Sequence, residues 1–158
     1  MYFLNCDFES SLVACLRKAV SLSPFEWIIN FNLGILHLST GQYVSAFHFL
    51  STSINLNPMY ARSYMYLAVA LSRLNDFDNS CSAYEKSLEL GGEDFLTYLN
   101  YAITLLLNDE IEMARYHFNS YLSLFSKAGM SNVDVDPSIV ENASIAKRLL
   151  TSELLNTV

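Results

Sequence analysis

The residues of this chain that could do chemistry are three histidines, three cysteines and a few acidic pairs. His37, His48 and His117 could ligate a metal or carry a proton, and Cys6, Cys15 and Cys81 could ligate or attack. Zinc sites bring such residues together at short, regular spacings. Here no two histidines stand four residues apart and none adjoins a cysteine cluster, so packing or surface roles are expected for all three. Spacing alone assembles no Ser–His–Asp or Cys–His set. The "GG" at 91–92 reads as the end of a helix and not as a phosphate loop. The acidic pairs in "GGED" and "NDE" read as solvated turn residues or first-turn residues that complement a helix dipole. No catalytic, cofactor-binding or metal-ligating residue is assigned, and a non-enzymatic protein is expected.

The elements that would have to position any site follow from composition. The chain has 158 residues, 52% of them apolar and 16% charged, which suits one ordered domain with a sizeable core. The net charge of −7, without a basic stripe, argues against nucleic acid and against electrostatic docking on anionic lipid. The greasiest run, "YAITLLL", is far short of the ~18 residues that a spanning helix needs. Residues 1 to 20 contain Asp7 and Glu9 and lack a basic start followed by an apolar block, so no secretory leader is expected. An odd cysteine count, with Cys15 and Cys81 inside helical patterns, suits a reducing compartment such as cytosol or nucleus. In that setting the sequon at Asn142 is inert.

Glycine and proline are scarce, with five and three copies, and long apolar periodicity reads as all-helical. A period of 34 residues runs through the chain. Gly34, Ala68 and Ala102 are small on it, as are Ala46, Ser80 and Ala114, and again Ala19, Ser53 and Ser87. Leu16, Leu50, Tyr84 and Phe118 are large on it, and Pro24, Pro58 and Gly92 break the chain on it. Five columns at one period are the tetratricopeptide (TPR) pattern, an α-solenoid of antiparallel helix pairs. Close helices need a small residue where their backbones approach. Gly34 therefore gives up about 1 kcal/mol of helix propensity for a close contact with its partner helix.

The expected map is a partial first repeat over 1–24, with residues 1–5 as the tail of one helix and 7–22 as its partner. Complete repeats follow at 26–58, 60–92 and 94–125, with helices at 26–39, 42–55, 60–73, 76–89, 94–107 and 110–125. "STGQ", "LNDF" and "LNDE" mark turns within pairs, and "LSPF", "LNPM" and "LGGED" mark turns between them. A loop over 126–136 precedes a C-terminal capping helix over 137–158, entered through Asp136 and Pro137. Its apolar face is read as Ile139, Val140, Ala143, Ala146, Leu149, Leu150 and Leu154. The chain begins inside a repeat, so its N-terminal end is expected to contact another molecule.

Repeat arrays of this kind bind partners along a concave face. Similarity to the tetratricopeptide fold puts Ile28, Phe31, Ile35 and Leu38 there, then Arg62, Met65, Val69 and Arg73, then Leu96, Leu99, Ile103 and Leu106. Phe31 and Ile35 occupy positions where chaperone-binding members carry Lys and Asn of a carboxylate clamp, so that role is not expected. An apolar groove with two arginines suits a partner helix or an extended apolar segment. The alternative is that these residues mostly touch one another.

A more specific likeness lies in "SPFEWIINFNLGILHLSTGQYVSAFHFLSTSINLNP". Pro24, Phe25, Glu26 and Trp27, then Asn32, Leu33 and Gly34, the run Ser45–Ser51, "LAVAL" at Leu67–Leu71 and "LNYA" at Leu99–Ala102 resemble the Bardet–Biedl syndrome 4 family. The resemblance covers residues 1 to 125 and weakens after Lys127. It implies the C-terminal repeats of a non-catalytic scaffold subunit of the BBSome. That coat-like adaptor traffics membrane proteins to and from cilia, is recruited by an Arf-like GTPase and travels with intraflagellar transport. Implied partners are other BBSome subunits, a pericentriolar satellite protein and dynactin. Implied locations are cytoplasm, cilium, basal body or centrosome, and centriolar satellites. Two other readings stay open on the residues alone. One is a generic TPR adaptor of another multiprotein assembly, and the other is the accessory repeat array of a glycosyltransferase.

Overall fold

Three residues on the 34-residue period shape the turns. Gly41, Asn75 and Asp109 all take positive φ, at 71°, 61° and 58°. Each follows a helix end, and the amide one residue later reaches back across the turn. Gln42 donates to the His37 carbonyl at 2.8 Å, Asp76 to Leu71 at 3.0 Å and Glu110 to Leu105 at 2.9 Å. These are Schellman closures, which satisfy orphan carbonyls and require a left-handed residue. Glycine, asparagine and aspartate are the residue types that enter that region most readily.

The computed structural model describes residues 3–23, 26–128 and 136–156, and side-chain surroundings for 10–19, 21–23, 26–128 and 136–151. The described residues form eight α-helices: α1 (Phe3–Leu22), α2 (Trp27–Ser39), α3 (Tyr43–Leu56), α4 (Ala61–Arg73), α5 (Phe77–Glu89), α6 (Phe95–Leu107), α7 (Ile111–Lys127) and α8 (Pro137–Asn156). Pro24, Phe25 and Leu154, and most of the 126–136 loop, lie outside the residues so described. The six helices expected between 26 and 125 appear within about two residues of their expected ends.

One expectation is overturned. Residues 1–5 and 7–22 do not form two helices, because α1 runs unbroken from Phe3 to Leu22. Asp7 falls on the column of Gly41, Asn75 and Asp109, yet its backbone is helical. Aspartate tolerates the left-handed region without requiring it.

The chain divides into two compact units, 1–91 and 92–158. In the first, α1 lies on α2, and α2 pairs with α3, α3 with α4 and α4 with α5. Its core joins Phe31, Ala46, Leu50 and Ala70, ringed by Trp27, Ile35, Leu38, Tyr60, Tyr66 and Leu67. Tyr60 meets Trp27 at 4.6 Å and Phe31 at 5.1 Å between ring centroids, which ties the start of α4 to α2.

In the second unit α6 pairs with α7, and α8 touches both. Asp94 caps α6 by accepting from the Thr97 amide at 2.8 Å. Asp136 does the same for α8, accepting from the Ser138 amide at 2.8 Å and its hydroxyl at 2.6 Å. Ala146 and Leu150 are buried on α8, whereas Leu149 is 48% exposed. Leu149 is therefore only partly covered on the face to which periodicity assigned it.

Candidate functional site

The small-residue columns sit where helices meet. Ala46, Ala68, Ser80, Ala102 and Ala114 are fully buried. A Cβ built on Gly34 would lie 2.5 Å from Leu50 Cγ and 2.8 Å from Cδ2, so the glycine column and the large-residue column meet there. The serines in these columns also work as polar groups, which their size alone did not reveal. Ser80 donates to the Ala68 carbonyl at 2.7 Å, Ser87 donates to Ala61 at 2.9 Å, and Ser53 shares a hydrogen bond with Ser63 at 3.1 Å. The hydroxyls are therefore hydrogen-bonded within the interior, as buried polar groups require.

The row read as a concave face divides by burial. Met65 is 0% exposed, Leu99 1% and Phe31 7%. These three are core residues and cannot line a groove. Phe31 is turned onto Tyr60 and Tyr66 of the next pair, which cover its ring. Ile35 and Leu38 are half-buried against the same cluster. Ile28, Arg62 and Arg73 are exposed, and Val69, Leu96, Ile103 and Leu106 are half-buried. In the second unit Ile103 and Leu106 join Leu107, Ile145, Ala146 and Leu149 around a small apolar cavity of about 130 Å³ between α6 and α8. The sequence reading had Leu149 on the apolar face of α8 but missed Ile145, because α8 falls outside the 34-residue register, and it missed Leu107 at the end of α6.

His37 and His48 both border the ring of Phe49, at 5.3 Å and 5.5 Å, and His117 lies among tyrosines of the second unit. His48 is exposed, while His37 stacks on Phe49 with the rings 5° from parallel. His117 is enclosed by Tyr101 at 4.1 Å, Tyr116 at 5.1 Å and Tyr98 at 5.9 Å. Cys15 is exposed on α1 and Cys81 is half-buried on α5. Among the described residues, no three His, Cys, Asp or Glu side chains gather in a way that could hold a metal ion. No helix among them is long and apolar enough to cross a membrane.

Burial lowers the pKa of His117 below its ordinary value of 6.5. The unfolded chain then binds that proton first as pH falls. The His117 contribution to stability is fully present above pH 6.5 and is lost as pH drops from there through the lowered value. The urea midpoint of the second unit is expected to fall between pH 7.5 and 5, and His117→Phe should flatten that fall. An equal decline in wild type and variant would remove His117 from the account.

Helix pairs on a 34-residue period, closed by Schellman turns and joined through small residues, define a class. The chain is a tetratricopeptide-repeat protein of the α-solenoid type. The tetratricopeptide repeat family model matches residues 61–90. Within that class, the chain is a homologue of proteins named BBSome complex member BBS4. It is 40% identical to the Bos taurus protein over 147 residues, 90% of this chain and 28% of that protein. To the Mus musculus protein it is 45% identical over 114 residues, 72% of this chain and 22% of that one. The chain thus spans about a quarter of the length of these relatives. Among solved structures, MamA 41-end from Desulfovibrio magneticus RS-1 is similar with a TM-score of 0.71 and 21% identity, covering 78% of this chain and 70% of that one. That likeness bears on the fold alone.

Proposed function

We propose that this chain is a protein-interaction segment of a BBSome subunit, a scaffold without catalysis that serves the traffic of membrane proteins to and from cilia. The observation that supports it is the level of identity to BBSome complex member BBS4 proteins over most of the chain. Its partners on this reading are other BBSome subunits, with a pericentriolar satellite protein and dynactin as further ones. Its working locations are the cytoplasm, the cilium, the basal body or centrosome, and centriolar satellites. Membrane contact belongs to the assembly, in keeping with a segment of net charge −7.

The burial pattern supports a narrower contact row than the sequence suggested. In the first unit it comprises Ile28, Arg62, Val69 and Arg73, and in the second Ile103 and Leu106. Affinity capture from ciliated-cell extract tests this, using the chain and an Arg62→Glu, Arg73→Glu variant as baits. Both arginines are exposed, so the variant is expected to keep its helical circular dichroism. BBSome subunits identified by mass spectrometry should accompany the wild type and not the variant. Recovery with both baits would keep the subunit reading and discard the arginine row. Recovery with neither would overturn the segment as an independent interaction unit.

A further inference from the structure

The second unit carries an open cleft of about 400 Å³ between the start of α6 and the middle of α7, lined by Glu93, Tyr98, Tyr116, Asn119 and Ser120 among others. Residues 116, 119, 120 and 123 follow the i, i+3, i+4, i+7 spacing, so one face of α7 forms a wall. Glu93 is the only ionised side chain on the cleft surface. Tyr116 is 64% exposed, a large aromatic face left open beside a carboxylate. His117 contacts both tyrosines, its ring 5.9 Å from Tyr98 and 5.1 Å from Tyr116. The charge of Glu93 reaches the Tyr98 phenol, whose pKa is raised first by burial and next by that carboxylate. One turn before Tyr116, Glu112 lies 3.8 Å from Arg115, so that pair adds little net charge. Lys127 stands one turn beyond Ser123, at the far end of the wall.

A carboxylate, two phenol rings and neutral acceptors are the complement of one side chain in particular. Guanidinium is planar, donates to a carboxylate and stacks on aromatic faces. Cation–π attraction to tyrosine adds to both terms. We propose that this cleft receives an arginine side chain from an extended segment of a partner protein. The assignment rests on unit 2 alone and stands apart from BBSome membership. It differs from the first-helix row above, which offers cations and aliphatic residues.

The test uses the full 158-residue chain and the tripeptide amide acetyl-Gly-Arg-Gly as probe. Tyrosine ring resonances are followed by NMR as the probe is added. Saturable shifts of Tyr98 and Tyr116 are expected, and the citrulline counterpart, equal in shape but uncharged, should bind about tenfold more weakly. Glu93→Gln should weaken the arginine probe by about tenfold and Tyr116→Ala by about fivefold. Both variants change surface side chains, and circular dichroism confirms the fold of each. Equal binding of the citrulline peptide, shifts that never saturate, or indifference to Glu93→Gln would each overturn the proposal.

Discussion

Leu99→Asp is expected to unfold the second unit, or to leave it at the edge of unfolding, with a loss of about 4 kcal/mol or more. Leu99 is 1% exposed on α6. Truncation to alanine would already cost about 2–5 kcal/mol through lost burial and the cavity left behind. An aspartate adds the desolvation of a carboxylate, which can be lessened only by protonation at an elevated pKa. A charge reversal at exposed Arg73 should change stability by about 0.5 kcal/mol or less. Urea unfolding of the two variants side by side separates the roles. If Leu99→Asp melted like the wild type, Leu99 would be a surface residue after all, and the original groove would return. This contrast also governs the choice of binding mutants. Loss of a partner in Leu99→Asp would report unfolding, whereas loss in the Arg62→Glu, Arg73→Glu variant would report an interface.

What the sequence disclosed and what it hid divide along a physical line. Between 26 and 125, helix pairing and ends were legible because they depend on short-range rules repeated three times. A small residue facing a large one, and a left-handed position after each first helix, leave marks on a 34-residue period. The direction of a side chain within a first helix leaves no such mark. Phe31 and Ile28 are three residues apart and both apolar, yet one is 7% and the other 48% exposed. The difference arises from Tyr60 and Tyr66, which reach across from the following pair onto Phe31. A one-dimensional pattern does not state which neighbour a ring will cover. The α6–α8 cavity was hidden for a related reason, since α8 belongs to no repeat and its register came from periodicity alone. The α7 wall of the acidic cleft was written in the chain as Tyr116, Asn119, Ser120 and Ser123. Its meaning needed Glu93 and Tyr98 beside it, and those come from the turn and helix before.

Gly34→Leu carries the second large effect, because it tests the contact that makes the repeat close-packed. A single added Cβ would already meet Leu50 Cγ at 2.5 Å, Cδ2 at 2.8 Å and Cδ1 at 3.3 Å, and Leu50 is 0% exposed. Alanine at 34 would regain about 1 kcal/mol of helix propensity, against an overpacking cost of about 1–3 kcal/mol. Leucine adds three more carbons into the same space and should reach the top of that range, about 3 kcal/mol. For a chain of this size such a loss lowers the melting temperature by roughly 6–12 °C. A double-mutant cycle identifies the atoms responsible. Leu50→Ala alone should cost about 2–5 kcal/mol as a cavity. In the Gly34→Ala, Leu50→Ala pair, the new methyl enters the space that the leucine leaves. The combined loss should then fall short of the sum by about 1 kcal/mol or more. Strict additivity would mean that the two columns do not meet in solution, and the physical reading of the small-residue pattern would fail with it.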